Sequence, residues 1–253
     1  MLDQIIWWGG TAVEIMLLVR GAYTGLFRRY SSFYCYLGFV LAQSLVRYVV
    51  FHGWPDSYAY FYWSTEILSV LIGCAVVFEI YRVGLEAYPG TARIARLLLF
   101  LLFAAAILFG IFKSLNAPGW WAETTVMELE RALRLVQALA LVVLISLFLM
   151  YSIPFGRNLR GILFGYSLFV ACSLFWLSFV YKGSGSFQSV WFVLYPALYC
   201  LCLCVWLAHL WSYSPQPSPA RATLLEQNYQ EMALLTRRRL DQVRSYVGKA
   251  LPR

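Results

Sequence analysis

Long apolar stretches that contain few charged residues make up most of this chain. A helix needs about 20 mainly apolar residues to cross a bilayer. Seven stretches meet this condition, at about residues 5–27, 33–51, 58–82, 94–112, 126–151, 159–181 and 187–211. The pattern predicts an all-α fold, a polytopic transmembrane bundle of seven helices over residues 1–213, called spans 1 to 7 here in chain order.

Residues 214–253 have a different pattern. A proline-rich linker, SPQPSPA, comes first, and a helix is expected from about Ala220 to Ala250. Its apolar residues recur mostly every three or four positions, while Arg237, Arg238 and Arg239 stand together in its middle. This spacing is typical of an amphipathic helix. We expect it to contact either the lipid bilayer surface or a protein partner.

The composition places the chain among membrane proteins. It is 61% hydrophobic and only 13% charged, whereas soluble domains carry about a quarter charged residues. The net charge of +8 comes from basic residues that concentrate after spans 1, 3, 5 and 7. Positive charge on cytoplasmic loops is the ordinary topology signal. It predicts an outside N-terminus and a cytoplasmic C-terminus and tail, and nucleic acid is not an expected partner.

Charged residues inside the spans are the candidate functional residues. A carboxylate within a spanning helix is costly and usually faces protein or a water-filled cavity. In the expected orientation Glu14 lies near the middle of the bilayer. Five charged residues fall in its outer half: Arg47, Glu66, Glu130, Arg131 and Arg134. Gln137 shares a helix face with Glu130 and Arg134. Glu66 is expected to pair with Arg47 or Arg134.

Two interpretations of this outer group stay open. The residues form ion pairs that brace spans 2, 3 and 5, or they line a polar pocket for an ion or small ligand, entered from outside between spans 1, 2, 3 and 5. A second group, Arg20, Glu79 and Arg82, is expected toward the cytoplasmic side. Gly10, Gly21 and Gly25 share a stripe of span 1 with Glu14, where small residues permit close helix contact.

The sequence lacks the residues that several kinds of cofactor site and active site require. Cys200, Cys202 and Cys204 alternate on a helix, where such residues point in different directions, so no metal site is expected. His52 and His209 belong to opposite membrane faces and cannot share a haem, and span 7 has no lysine for retinal. The sequence contains no HExxH, GxSxG or phosphate loop. No cofactor and no enzymatic activity are expected.

A set of short motifs covers all spans but the seventh: Trp7-Trp8, Glu14, Trp63-x-x-Glu66, Glu79-Ile80-Tyr81-Arg82, Leu129 to Arg134, and Gly156 to Gly161. In these motifs the chain resembles a family of uncharacterised bacterial seven-helix integral membrane proteins. The resemblance implies a bacterial cytoplasmic (inner) membrane location and brings no established activity. The topology is also similar to the membrane regions of seven-helix bacterial sensors, which is an analogy of fold alone.

Three functions follow as hypotheses. The first is a sensor or receptor-like signalling module, with the outer polar pocket as the ligand site and the tail helix as the readout. The second is a non-catalytic subunit of a larger membrane complex. The third is a small proton-coupled transporter that uses Glu14 and Glu66 as protonatable sites, although no inverted repeat is visible.

Overall fold

The structure, a computed structural model, describes residues 2–115, 121–150, 156–180, 185–215, 230–239 and 241–242. Within these ranges most of the chain lies in eight α-helices: α1 Leu2–Tyr23, α2 Leu26–Arg29, α3 Ser31–Gly53, α4 Tyr58–Gly84, α5 Pro89–Leu115, α6 Trp121–Met150, α7 Arg157–Phe175 and α8 Gly185–Leu210. A 3₁₀ turn, Pro55–Ser57, precedes α4, and a π-helical turn, Trp176–Val180, continues α7. The prediction of an all-α fold is confirmed for the described residues.

In the part of the chain that the structure describes, six helical segments are long and apolar enough to cross a membrane: Ser31–Gly53, Pro55–Gly84, Pro89–Phe112, Val126–Met150, Arg157–Phe179 and Ser189–Leu210. They correspond to spans 2 to 7. The first expected span, α1, is not among the six, and it carries both Glu14 and Arg20 within its 22 residues.

The long helices pack as a bundle around an aromatic core. Helix α1 packs against α3 and α8, α4 packs against α3 and α6, and α7 lies between α6 and α8. Helix α5 contacts α4 and α6 and leaves a row of leucines and phenylalanines exposed on its other side. Phe33, Tyr36, Tyr166 and Trp206 are almost completely buried at the centre. Apolar exposure of this kind on α5 is what a lipid-facing helix requires.

Two glycines on α7 allow α7 and α8 to pack closely against each other. A methyl group added at Gly161 would overlap His209, and one added at Gly165 would overlap the indole of Trp206. Small residues let helix backbones approach closely, which is the usual packing device of membrane helices. On α4, Gly73 gives the same room to the hydroxyl of Tyr166.

The end of α1 differs from the expected end of span 1. The helix stops at Tyr23, not Phe27, because Gly25 adopts φ +72° and turns the chain into the short helix α2. Glycine tolerates this left-handed conformation without steric cost. Gly21 does lie in close contact with Tyr34, but a methyl group at Gly25 would meet no neighbouring atom. The role expected for Gly25 in helix contact was therefore wrong.

Basic residues gather at one end of the bundle, which we call the arginine-rich end. There Arg29 forms an ion pair with Glu86, Arg20 donates to the carbonyl oxygen of Trp211 (2.8 Å), and Arg157 donates to that of Ala208 (2.8 Å). These contacts bring together the segments that follow α1 and α4, the start of α7 and the end of α8. The 3₁₀ turn before α4 lies at the opposite end of the bundle.

Only part of the expected tail can be placed. Residues 230–239 and 241–242 are helical and exposed, and Met232 borders an apolar groove formed by α4, α5 and α6. Most of the proline-rich linker and both ends of the expected tail helix lie outside the described residues.

Candidate functional site

A cavity of about 240 Å³, called the polar cavity here, lies inside the bundle in the half away from the arginine-rich end. It is lined by Tyr36, Val40, Gln43, Ser44 and Arg47 of α3, Tyr62, Trp63, Glu66 and Ser69 of α4, Met127, Glu130 and Arg134 of α6, Phe169 and Ser173 of α7, Trp176 and Leu177 of the π turn, and Tyr195 and Tyr199 of α8. Four of the outer charged residues thus share one cavity. Span 1 was expected beside it, but no described residue of α1 lines it.

Arg47 and Glu66 form an ion pair at the wall of the polar cavity. Nη2 of Arg47 lies 2.9 Å from Oε2 of Glu66, and each side chain is 18% exposed. The same guanidinium donates to Thr65 Oγ1 (2.8 Å) and to the carbonyl oxygen of Tyr62 (2.9 Å), and it stacks over the Tyr62 ring at 4.1 Å. This pair is one of the two that were expected for Glu66, and it joins α3 to α4.

A second charged pair lies on α6. Arg134 is 1% exposed, and its Nε lies 3.5 Å from Oε1 of Glu130, one helical turn before it. Its Nη1 donates to Gln137 Oε1 (3.4 Å), and the guanidinium stacks over the ring of Phe169 at 4.8 Å. Gln137 in turn donates to the carbonyl oxygen of Val70 on α4 (3.3 Å). Gln137 therefore helps to fix the position of the Arg134 side chain, and Gln137 itself does not line the cavity.

Two buried nitrogen atoms in the lining have no hydrogen-bond partner within the described structure. They are Nε2 of Gln43, whose residue is 7% exposed, and Nε of Arg134, which lies near Glu130 without hydrogen-bond geometry. A buried donor without a partner costs about 1–3 kcal/mol. Arg134 Nε has Glu130 as its ionic partner, so Gln43 Nε2 is the donor that an occupant with acceptor oxygens would satisfy.

The charges of the described lining residues balance. Two arginines face two carboxylates, and the remaining polar side-chain groups are hydroxyls, one amide and the indole N–H groups of Trp63 and Trp176. Tyr195 and Ser173 share a hydrogen bond of 3.0 Å across α8 and α7. Such a lining suits a neutral or zwitterionic molecule better than an ion of either sign, because a net charge would enter a buried site without a counter-charge.

Two of the predicted ligand or ion-pair residues, Arg131 and Glu14, lie outside the polar cavity. Arg131 is half-buried and does not line the polar cavity, because it sits beside the face that Glu130 and Arg134 share. Glu14 lies in a neighbouring cavity between α1, α3 and α8, where its Oε1 accepts a hydrogen bond from Tyr199 (2.5 Å). Tyr199 and Ser44 line both cavities.

The expected cytoplasmic group divides in two. Glu79 and Arg82 are in contact at 3.2 Å, whereas Arg20 lies with its guanidinium 4.4 Å from the ring of Trp211. Glu79 also accepts hydrogen bonds from the backbone nitrogens of Ser32 and Phe33, at the start of α3. A carboxylate at a helix N-terminus satisfies free N–H groups and stabilises the helix dipole. Glu79 therefore has a structural role.

The remaining predicted residues make no site of their own. Arg237, Arg238 and Arg239 are exposed on the described helical segment of the tail. In the searched part of the chain no three His, Cys, Asp or Glu side chains gather closely enough to hold a metal ion. Cys202 is buried while Cys204 is exposed, as their alternate positions on a helix require.

Comparisons with protein-family models, with curated proteins and with solved structures found no match for this chain. The resemblance to a bacterial seven-helix family stays a prediction.

Sequence reasoning missed several residues of the polar cavity. Gln43 stands four positions before Arg47, so shared helical spacing was a signal that could have found it. Tyr195 and Tyr199 carried no such signal, because tyrosine in an apolar span also suits the membrane interface.

Proposed function

We propose that the protein is a sensor or receptor-like integral membrane protein whose polar cavity binds a small neutral or zwitterionic molecule through its acceptor oxygens. The observation that carries the proposal is the unpartnered amide nitrogen Gln43 Nε2 in the lining of a polar cavity that also holds the ion-paired Arg134. Fixed ion pairs on either side hold the lining in place. The volume of about 240 Å³ is below the usual range of drug-sized pockets, so the ligand is a small one.

The proposed topology adds α1 to the six apolar helices, which gives seven spans. Its 22 residues reach about 33 Å, enough for a hydrocarbon core of about 30 Å. The gathering of arginines at one end supports an outside N-terminus, a cytoplasmic C-terminus and a cytoplasmic tail. Ligand then reaches the polar cavity from the outer face. The proposed location is a bacterial cytoplasmic membrane.

The tail is the proposed readout. Its arginines are exposed, as contact with anionic lipid or a protein partner requires, and Met232 borders the groove of α4, α5 and α6. Helices α4 and α6 also carry Glu66 and Arg134 of the polar cavity. A shift of these helices on ligand binding would therefore change the shape of the groove.

Binding is tested on the full chain in lipid nanodiscs. A panel of small amino acids, amides, polyols and zwitterionic osmolytes is screened for a rise in melting temperature, and hits are measured by titration calorimetry. Gln43→Leu should weaken binding of a hit about tenfold or more, since one hydrogen bond to a polar ligand is lost. Arg131→Gln, outside the lining, should not. Equal binding by Gln43→Leu and the wild-type protein would place the ligand elsewhere.

The second candidate function, a non-catalytic subunit of a membrane complex, is favoured by the bracing contacts. Arg47 joins α3 to α4, and Gln137 joins α6 to α4. In that case purification in mild detergent should recover a stable partner, and the panel should give no hits. The third candidate is a proton-coupled transporter that uses Glu14 and Glu66, which line adjoining cavities. Ion flux in liposomes tests it.

A further inference from the structure

A second cavity, of about 480 Å³, lies between α1, α3 and α8, in the half of the bundle away from the arginine-rich end. We call it the aromatic cavity. Its described lining includes Trp7, Trp8, Thr11, Glu14, Tyr48 and Tyr199. It is about twice as large as the polar cavity, and most of its wall is apolar.

Glu14 is the acidic group of this wall. Its residue is 3% exposed, and its described hydrogen bond comes from a neutral group, the hydroxyl of Tyr199. Among the described residues, no arginine, lysine or histidine lies within ion-pair distance of it. A buried carboxylate is costly unless a positive charge or further hydrogen bonds compensate it. The aromatic cavity therefore favours a cation.

Four aromatic side chains, Trp7, Trp8, Tyr48 and Tyr199, also belong to this wall. Trp7 stacks on Tyr48 with ring centroids 5.4 Å apart, and it meets Trp8 edge-on at 4.6 Å. The faces of tryptophan and tyrosine attract ammonium groups, and this is how proteins recognise quaternary ammonium ligands. A carboxylate among such rings is the chemistry that binds an organic cation.

The wall does not suit the other classes of ligand. A bare metal cation needs several oxygen ligands, and Glu14 is the one carboxylate among the described lining residues. An anion would face Glu14 without a nearby positive group. Arg47 does not line this cavity, and Glu66 balances its charge. A neutral apolar molecule would leave Glu14 with the Tyr199 hydroxyl as its described hydrogen-bond donor and would add no positive charge.

We propose that the aromatic cavity is a binding site for an organic cation, an ammonium group carried on an apolar body, with Glu14 as its counter-ion and Trp7 and Tyr48 as its aromatic contacts. The site is separate from the polar cavity and does not depend on the proposed sensor function. It shares only Ser44 and Tyr199 with that cavity among the described lining residues.

The test uses the full chain in neutral-lipid nanodiscs and two probes of the same shape. Phenyltrimethylammonium carries the charge, and tert-butylbenzene is its neutral counterpart. Saturable quenching of tryptophan fluorescence, corrected with empty nanodiscs, reports binding. The wild-type protein should bind the cation at least about tenfold more tightly than the neutral probe, since desolvated cation–π and ionic contacts act only on the former. This comparison needs no variant and so does not depend on how a variant folds.

Variants then assign the residues. Glu14→Gln and Trp7→Leu should each weaken phenyltrimethylammonium binding about tenfold, while Glu86→Gln, on the exposed loop at the arginine-rich end, should leave it unchanged. Rescue of binding by Glu14→Asp would support the role of the negative charge. Equal affinities for the two probes, no saturable binding by the wild-type protein, or unchanged binding in folded Glu14→Gln would overturn the proposal.

Discussion

The carboxylate of Glu79 lies 3.0 Å from the backbone nitrogen of Phe33, across the contact between α4 and α3. The other carboxylate oxygen accepts from the backbone of Ser32 (3.0 Å) and from Ser31 Oγ (3.3 Å). The side chain of Glu79 is 2% exposed. One glutamate thus caps the first turn of the neighbouring helix and fixes where that helix starts.

The first prediction concerns this cap. Glu79→Ala leaves the buried N–H group of Phe33 and the part-buried N–H group of Ser32 without acceptors, which should lower the free energy of unfolding by about 1–3 kcal/mol. Thermal unfolding in detergent measures the change. Arg82→Gln is the matched control, because Arg82 is 56% exposed and its pairing with Glu79 is a surface contact worth about 0–1 kcal/mol. If both variants unfold at the same temperature, the cap does not stabilise α3.

The second prediction concerns the wall of the polar cavity. Glu66→Gln removes the counter-charge of Arg47, whose other acceptors are neutral oxygens. A hydrogen bond between charged groups contributes about 1.5–3 kcal/mol, so the melting temperature should fall clearly. Glu86→Gln, which breaks the exposed pair with Arg29, should change it little. Equal melting temperatures would mean that water in the cavity replaces the pair at no cost.

The positions of the helices follow from the apolar pattern to a large extent. Span 2 was expected at 33–51 and α3 is Ser31–Gly53, while span 3 was expected at 58–82 and α4 is Tyr58–Gly84. Length and hydrophobicity act locally along the chain, so one sequence is enough to read them. The π turn at Trp176–Val180 had no such signal, since its residues are as apolar as those before it.

The partners of the buried charges were harder to predict. Arg82 stands three residues after Glu79, and that local pairing is visible in the sequence. The main partner of Glu79 is the backbone of α3. This contact depends on how the two helices pack, and the spacing of residues within one helix does not reveal it. For the same reason the contact between Glu14, which was expected near the middle of the bilayer, and Tyr199, 185 residues away, could not be predicted.

The third prediction concerns the contact between α7 and α8. Gly165→Ala places a methyl group against the indole of Trp206, a fully buried side chain. Overpacking of this kind costs about 1–3 kcal/mol, so the variant should unfold at a lower temperature. Gly9→Ala is the control, because a methyl group there meets no atom within 4 Å. It should be neutral or slightly stabilising, since alanine favours helix over glycine. Equal loss in both variants would argue against close packing at Gly165.

The fourth prediction concerns orientation. On a background without the six native cysteines, cysteine at Ser57 should react with a membrane-impermeant thiol reagent in intact cells. Cysteine at Ala87, beside Glu86 at the arginine-rich end, should react only after the membrane is opened. Both positions are exposed, so burial does not limit labelling. The reverse pattern would invert the proposed topology and put the polar cavity on the cytoplasmic side.

The last prediction concerns the tail. A helix with an apolar face and a basic cluster binds anionic membrane surfaces, and each arginine near such a surface contributes about 1 kcal/mol. A peptide of residues 220–250 should be unstructured in buffer and become helical with anionic vesicles, as circular dichroism measures. Replacing Arg237, Arg238 and Arg239 with glutamine should weaken binding about a hundredfold, the factor that about 3 kcal/mol represents. Helical dimers that form without lipid would instead identify the tail as a protein-binding element, because the same apolar face would then pack against a second helix.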